Sequence, residues 1–350
     1  MAFQSFNPLI LQSFNPLILQ FFNPLILQFF MIARYAVPFF VIMAFVVLPV
    51  IAFFLCRFLF PRRWGKKIGA CVSLILVLFA LYGMFVGYQQ LDIRYVEYHS
   101  KDLPAAFDGY RIVQFSDAHI GTMTGMRKWM LQRGVDSMLA LHPDMIVFTG
   151  DLQNVYPEEL VEHLPQLSRL NAPDGVYSVL GNHDYATYLQ ADSLEKEANN
   201  RRTQALERQA GWTLLMNEHR VIRRDSDSIV IAGMENWGTV KRMPRRGDVA
   251  KTLAGLTSHH PFIIMLQHDP TAWREKILKE CQAQLTLSGH THGGQADIFG
   301  YSPAALSYDV YEGWAYEGSR ALFVSTGLGA LIPFRLGLPG EIVVITLRKE

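Results

Sequence analysis

The strongest pattern in the chain is apolar on every side of a helix. Residues 36–56 and 68–88 are each 21 long and contain no charged side chain. About 20 apolar residues cross a bilayer core, and a soluble core helix is rarely apolar all round for that length. The two runs predict a transmembrane helical hairpin within residues 31–89. Pro38 and Pro49 fall in the first run, where a neighbouring helix can satisfy the freed carbonyls. Two spans in succession, with no small-residue cleavage site, argue against a removable signal peptide. Ahead of them, residues 5–28 repeat SFNPLILQ, SFNPLILQ, FFNPLILQ. Each unit carries a Pro that would interrupt a helix, and the period is far below the roughly 20–50 residues of solenoid arrays. Residues 1–30 are therefore set apart as a duplication or an over-long start, with Met31 as the alternative initiator.

Beyond residue 108 the pattern shortens. Tyr110–Ser116, Met145–Thr149, Val176–Leu180, Ser228–Ala232, Pro261–Gln267, Leu285–Ser288, Ala321–Ser325 and Glu341–Leu347 read as buried strands. Arg127–Leu141, Ser193–Ala210 and Thr271–Cys281 read as helices. The alternation predicts an α/β domain over residues 106–350 with helices covering the sheets, joined to the hairpin by a linker at 90–105. The stretch Tyr185–Trp237 is expected to form a cap.

Charge divides the chain at the same place. The overall balance is 32 basic against 31 acidic residues, yet no acid precedes Asp92 and six basic residues do. The remainder carries 26 basic residues against all 31 acids, and all 11 histidines. Five of the early charges (Arg57, Arg62, Arg63, Lys66 and Lys67) lie in the loop between the two runs. The excess of positive charge on cytoplasmic loops places that loop inside and the larger domain on the extracytoplasmic side of a bacterial cytoplasmic membrane. Half the chain is hydrophobic and only 18% is charged, which excludes disorder. Three Cys without a CxxC pair exclude a disulfide scaffold or structural zinc. An acidic domain argues against nucleic acid as a partner.

The chemistry is in what ends the strands. They run into Asp117-Ala-His119, Gly150-Asp151-Leu-Gln-Asn154, Gly181-Asn182-His183-Asp184, His268-Asp269-Pro270 and Gly289-His290-Thr-His292-Gly-Gly-Gln295. Ligands bind at the carboxyl ends of strands in open α/β sheets. Asp117 and His119 are two apart, as are His290 and His292, so each pair can point one way from extended chain. Two Asp, one Asn and four His exceed what one tetrahedral zinc can use. They suit two divalent ions sharing a carboxylate, a pair able to clamp phosphoryl oxygens. Gly150, Gly181, Gly289, Gly293 and Gly294 allow the tight turns this needs.

DAH, GDLQN, GNHD, QHDP and GHTHGGQ, in this order, resemble the five motifs of the calcineurin-like metallophosphoesterases. With the apolar N-terminal runs they resemble in particular the membrane-associated bacterial branch similar to the YkuE and YaeI proteins. The resemblance covers residue 106 to the C-terminus. It implies a four-layer α-β-β-α sandwich behind the transmembrane hairpin. It also implies Asp117, His119 and His292 on one metal, Asn182, His268 and His290 on another, and Asp151 bridging them. His183 would face the phosphoryl group, stabilising the transition state or protonating the leaving oxygen, with Asp184 orienting its ring. The ions would be Mn, Fe, Zn or Co. Ala118 stands where Leu is more usual, and Asn154 where some relatives have Asp.

The function this implies is hydrolysis of a phosphate ester or pyrophosphate, on a phosphorylated small molecule or lipid, by hydroxide generated at the metals. One alternative is a nucleotide-sugar-lipid pyrophosphatase of lipid A synthesis, whose substrate faces the cytoplasm. Another is a metal-dependent nuclease, which the domain's acidity disfavours. Arg127-Lys128-Trp129 and the basic run 241–246 are candidate anion contacts. His99, His142, His163, His219, His259 and His260 fall outside the motifs.

Overall fold

The computed structural model describes residues 39–256 and 261–350. The octapeptide repeat, Met31, the start of the first apolar run with Pro38, and His259 and His260 lie outside the described residues.

Helix α1 spans Phe39–Leu59 and α2 spans Arg62–Phe85. Both are long and apolar enough to cross a membrane, and both leave few of their residues buried. α1 widens into a π turn at Met43–Val47, just ahead of Pro49, whose ring and missing N–H disturb the preceding turn. Glycine brings the two backbones together. A Cβ on Gly69 would stand 2.8 Å from the Phe53 carbonyl oxygen. The Ser73 hydroxyl lies 2.7 Å from the carbonyl of Pro49 and 2.8 Å from that of Gly69. Small side chains at the crossing are how apolar helices approach closely when water cannot drive them together.

The expected linker is in fact a strand. β1, Leu91–Ser100, pairs in parallel along its whole length with β12, Gly340–Lys349. Leu91 and Ile93 pack on the outer core and Val96 and Tyr98 on the core between the sheets, so the strand buries opposite faces at its two ends, while Asp92, Tyr95, Glu97 and His99 stay exposed. The folded domain therefore begins close behind α2.

Two six-stranded sheets follow. The first orders β1, β12, β2 (Arg111–Phe115), β3 (Met145–Phe148), β4 (Val176–Ser178) and β5 (Thr213–Leu214). The second orders β10 (Gly313–Glu317), β11 (Arg320–Val324), β9 (Leu285–Ser288), β8 (Phe262–Leu266), β7 (Asp227–Gly233) and β6 (Glu218–Arg224). Each has a parallel core, β2 to β5 in one and β11-β9-β8-β7 in the other.

Strand alternation sorts the core into layers. Ile112, Val147, Ile231, Ile264, Leu287 and Val343 fill the space between the sheets. Val113, Phe115, Ile146 and Val344 face outward onto Leu131, Val135 and Met138 of α3, Trp129–Ala140, and Leu206 of α4, Ser193–Gln209. Ile263 and Met265 pack on Trp273 and Ile277 on the opposite outside. The result is the expected α-β-β-α sandwich.

The expected cap is also corrected. Most of Tyr185–Trp237 is built into the sandwich as α4, β5, β6 and β7. The third expected helix is present over residues 271–280, wound as a π turn at Trp273–Ile277.

α2 is clamped to this sandwich. Phe334 packs where a Gly83 side chain would stand, and the Arg335 backbone crosses Gly87 equally closely. The Arg335 N–H donates to the Gly83 carbonyl at 3.0 Å. The Arg335 guanidinium, fully buried, donates to the carbonyls of Thr326, Gly327 and Gly329 at 2.7, 2.9 and 2.6 Å.

Candidate metal centre

The parallel cores bring the carboxyl ends of β2, β3, β4, β8 and β9 to one edge, and the five motifs follow those ends. All seven expected ligands are gathered there, and six of them are buried. Ligand atoms of Asp117, His119 and His292 form one close group, and those of Asp151, His268 and His290 another. Within the first, the Nε2 atoms of His119 and His292 are 3.1 Å apart, and His292 Nε2 lies 3.5 Å from Asp117 Oδ1. Within the second, His268 Nε2 lies 3.2 Å from His290 Nδ1 and 3.2 Å from Asn182 Oδ1. Asp151 Oδ2 faces both groups, 3.2 Å from His268 Nε2 and 3.8 Å from His119 Nε2.

The outer faces of the rings decide which nitrogen points inward. His268 Nδ1 donates to the Thr149 carbonyl at 2.7 Å, which turns Nε2 towards Asp151. His119 Nδ1 meets Asn154 Oδ1 at 3.1 Å, and His290 Nε2 meets the Tyr308 hydroxyl at 2.9 Å. Such outer partners fix ring orientation in metal sites.

The electrostatics fit a cation. Burial holds His119 down at about 3 and His292 well below the usual imidazole range, so both are neutral donors. Burial pushes the Asp117 carboxyl up to about 6, with Asp151 adding to the rise. Burial opposes a charge on His268, yet Asp151 and then Asp117 hold it up at about 10. The two carboxylates therefore require a neighbouring positive charge, which a divalent ion can supply in place of the proton.

The backbone is bent to the same end. Asp117, His119, Asp151, His290 and His292 have φ of 51°, 42°, 62°, 76° and 53°. Non-glycine residues in this left-handed region each cost on the order of 1–3 kcal/mol, and such strain collects at functional sites. Asp117 is held there by accepting the His290 N–H at 2.9 Å, and by Gly329, whose N–H donates to the Asp117 carbonyl at 2.9 Å. Gly181 is required because a Cβ there would run into the Asp151 carboxylate.

One expected contact is not made. Asp184 does not orient His183. Its carboxylate instead accepts the backbone N–H of Asp151, Leu152, Gln153 and Gly181 at 2.8 to 3.3 Å, tying two motif loops together. The His183 ring is held by the Asn154 carbonyl, which accepts from Nδ1 at 2.6 Å. His183 packs on Tyr188 with ring centroids 4.3 Å apart and stands edge-on to His119. Asn154 thus positions both His119 and His183.

A cleft of about 320 Å³ opens over Asp151, Asn182, His183, His290 and His292. Tyr188, Arg242, Met243, Ala304, Tyr308 and Leu331 contribute to its walls. Of the basic run, Arg242 alone reaches this cleft, and its buried Nε has no hydrogen-bond partner among the described residues. Arg245 donates to Gly238 and Thr239 carbonyls, and Arg246 pairs with Glu197. Lys128 pairs with Glu162, Arg127 lies over the Tyr88 ring, and Trp129 is half-exposed. His99 and His219 bind Glu97 and the Thr252 carbonyl, and His163 lies beside Glu162, all away from the centre. His142 also stays outside it. Tyr188 and Tyr308 were not legible as site residues, because neither belongs to a motif.

A buried Asp-His cluster at the joined edges of two sheets marks a metal-dependent hydrolase of the α-β-β-α type. The chain belongs to the calcineurin-like phosphoesterase family, whose pattern matches residues 110–294, and it is a metallophosphoesterase. It is 33% identical over 255 residues to the metallophosphoesterase YkuE of Bacillus subtilis, covering 71% of this chain and 82% of that one. It is 32% identical over 284 residues to a zebrafish (Danio rerio) transmembrane protein with a metallophosphoesterase domain. That match covers 79% of this chain and 62% of the zebrafish protein. A third relative is the UDP-2,3-diacylglucosamine pyrophosphatase LpxG of Chlamydia trachomatis. It is 27% identical over 307 residues, covering 71% of this chain and 88% of LpxG.

Two outcomes follow. Metal ligands must be deprotonated, and the Asp117 and His268 values are both raised, so protons compete with metal below them. Mn²⁺ affinity, measured by titration calorimetry, should weaken as pH falls through about 6 and strengthen on raising it towards about 10. An affinity independent of pH would exclude this. Secondly, Asp184→Ala should lower bound metal and thermal stability together, whereas His183→Ala should leave metal content unchanged. Elemental analysis and thermal melts of the two variants separate the roles.

Proposed function

We propose that the chain is a membrane-anchored phosphoesterase that holds two divalent ions and hydrolyses a phosphate ester or pyrophosphate of a lipid- or envelope-linked substrate. The observation that carries this reading is the position of Asp151 between two ligand groups, beneath an open cleft. In it, Asp117, His119 and His292 hold one ion, Asn182, His268 and His290 the other, and Asp151 spans both. Two divalent ions there would neutralise phosphoryl oxygens and acidify the attacking water.

The chain's own residues do the rest. Arg242, whose Nε has no hydrogen-bond partner among the described residues, supplies a cation at the cleft wall for a phosphoryl oxygen. His183, with Nδ1–H fixed on Asn154, turns Nε2 to the cleft, where it can donate a proton to the leaving oxygen as the P–O bond breaks. Burial lowers the His183 pKa, so an anionic substrate beside it is what keeps that proton in place. Met243, Ala304 and Leu331 offer apolar surface to the leaving group.

The apolar hairpin and the relatives named as transmembrane proteins support anchoring. The basic loop between α1 and α2 supports a cytoplasmic tip, with the catalytic domain on the other side. A second reading, hydrolysis of a nucleotide-activated acylated glucosamine, is supported by the likeness to LpxG. It requires the domain to face the cytoplasm.

The purified full chain with Mn²⁺ should hydrolyse small phosphate esters or lipid phosphates in a screen of monoesters, diesters, nucleotide-sugar pyrophosphates, phospholipids and single-stranded DNA. Asp151→Ala should abolish turnover, and His183→Ala should slow it by at least about 10²-fold, the scale of acid–base catalysis. Full activity of Asp151→Ala would overturn the two-metal reading, and preferred cleavage of DNA would favour a nuclease. Paired periplasmic and cytoplasmic reporters fused after Glu350 should be active only outside the membrane. Activity only inside would favour the acylated-glucosamine reading.

A further inference from the structure

A loop beside the cleft exposes large apolar side chains that the domain does not cover. In residues 297–306, Ile298 is 50% exposed, Phe299 97%, Tyr301 70% and Leu306 72%. Phe299 sits at a left-handed backbone position ahead of Gly300, at the tip of a turn closed by an Ile298–Tyr301 bridge. An aromatic residue pushed fully into solvent by a constrained turn has nothing to gain from the protein. Apolar side chains so grouped mark a partner surface.

The location of the loop says which partner. Its base is pinned to the segment that clamps α2. Asp297 N–H donates to the Leu336 carbonyl at 2.8 Å, and the Gln295 side-chain amide donates to the carbonyls of Ile332 and Phe334. Phe334 packs against Gly83 near the end of α2, and its ring centroid lies 4.6 Å from that of Phe40 at the start of α1. Both hairpin ends on the domain side therefore meet this segment. Phe299 is three residues from Ala296, which bridges to Leu336, so it lies within about 10 Å of that base. The other side of the loop faces the metal centre, because Pro303, Ala304, Ser307 and Tyr308 line the cleft.

We propose that Phe299, Tyr301 and Leu306 insert into the lipid interface next to the hairpin and hold the mouth of the cleft against the bilayer surface. The occupant is the bilayer itself, continuous with the hairpin. Tyr is favoured at the headgroup level, where its apolar ring and its hydroxyl are both satisfied, and Phe and Leu beside it add the apolar area by which interfacial elements bind. The substrate class this favours is a phosphate ester whose apolar part stays in the membrane while the phosphoryl group enters the cleft. The inference rests on the membrane-anchored reading of the hairpin, but not on turnover.

The test uses the full chain in phosphatidylcholine–phosphatidylglycerol vesicles. Cys56, Cys71 and Cys281 are replaced by Ser, and a nitroxide is attached at Phe299→Cys or, as control, at exposed Leu194→Cys on α4. The Phe299 label should lie at a depth of roughly 5–10 Å, as interfacial elements do, while the Leu194 label stays in water. A Phe299 label as accessible to water-soluble relaxers as the Leu194 label would overturn the proposal. In turnover, the triple variant Phe299→Ser, Tyr301→Ser, Leu306→Ser should lose at least roughly tenfold on a vesicle-embedded phosphate ester, the scale of a single large apolar side chain moved from lipid to water. Hydrolysis of soluble p-nitrophenyl phosphate by that variant should be unchanged. Equal loss on both substrates would overturn the proposal. An inserted label in a chain that hydrolyses neither ester would support docking while overturning the phosphoesterase reading.

Discussion

Two carboxylates, Asp117 and Asp151, are buried in a ring of imidazoles, and the rest of the domain answers to that arrangement. Negative charge cannot be taken out of water without compensation nearby. Part of the compensation is backbone: His290 N–H on Asp117, and His183 N–H on Asp151 at 2.8 Å. The remainder must be a cation. In this state His268 carries it as a proton, and the donor set is of the kind that divalent metals displace protons from.

Bringing those groups together sets demands on the fold. Two sheets with parallel cores place five strand ends along one edge. The motif loops then turn through left-handed residues to aim side chains inward rather than along the strand. That cost is offset by cross-bracing between loops. Asp184 gathers four backbone N–H groups, and Asn154 serves His119 with its side chain and His183 with its carbonyl. Asp184 and Asn154 set the site by placing other groups, which is why removing either would be felt at a distance.

Much of this was legible from the sequence. The strand cores, the edge at which the motifs meet and the seven converging side chains follow from buried runs that end in Asp, Asn and His. The role of Asp184 did not follow. Adjacent letters in GNHD suggest a carboxylate beside an imidazole, but His183 N–H and Asp184 N–H point to different loops, and only tertiary geometry decides which group each side chain meets. β1 was missed because an edge strand, half polar and next to a membrane span, has the texture of a linker. β5, β6 and β10 are short or exposed and carry little periodic signal. Arg242 was visible as one charge in a basic run. That it alone turns to the cleft depends on Arg245 and Arg246 having partners of their own.

Gly87 and Tyr88 look like the last turn of a membrane helix, yet they belong to the catalytic domain. Gly87 leaves room for the Arg335 backbone, and the buried Tyr88 hydroxyl lies 2.6 Å from Thr122 Oγ1, whose hydroxyl in turn reaches the His119 carbonyl at 2.8 Å. A soluble fragment cut at the start of β1 would leave Thr122 without that partner and uncover the floor of the Ile120 turn. The folded domain therefore takes in Gly87 and Tyr88, directly behind α2, and trimming the protein back to β1 would remove contacts that brace the turn carrying His119.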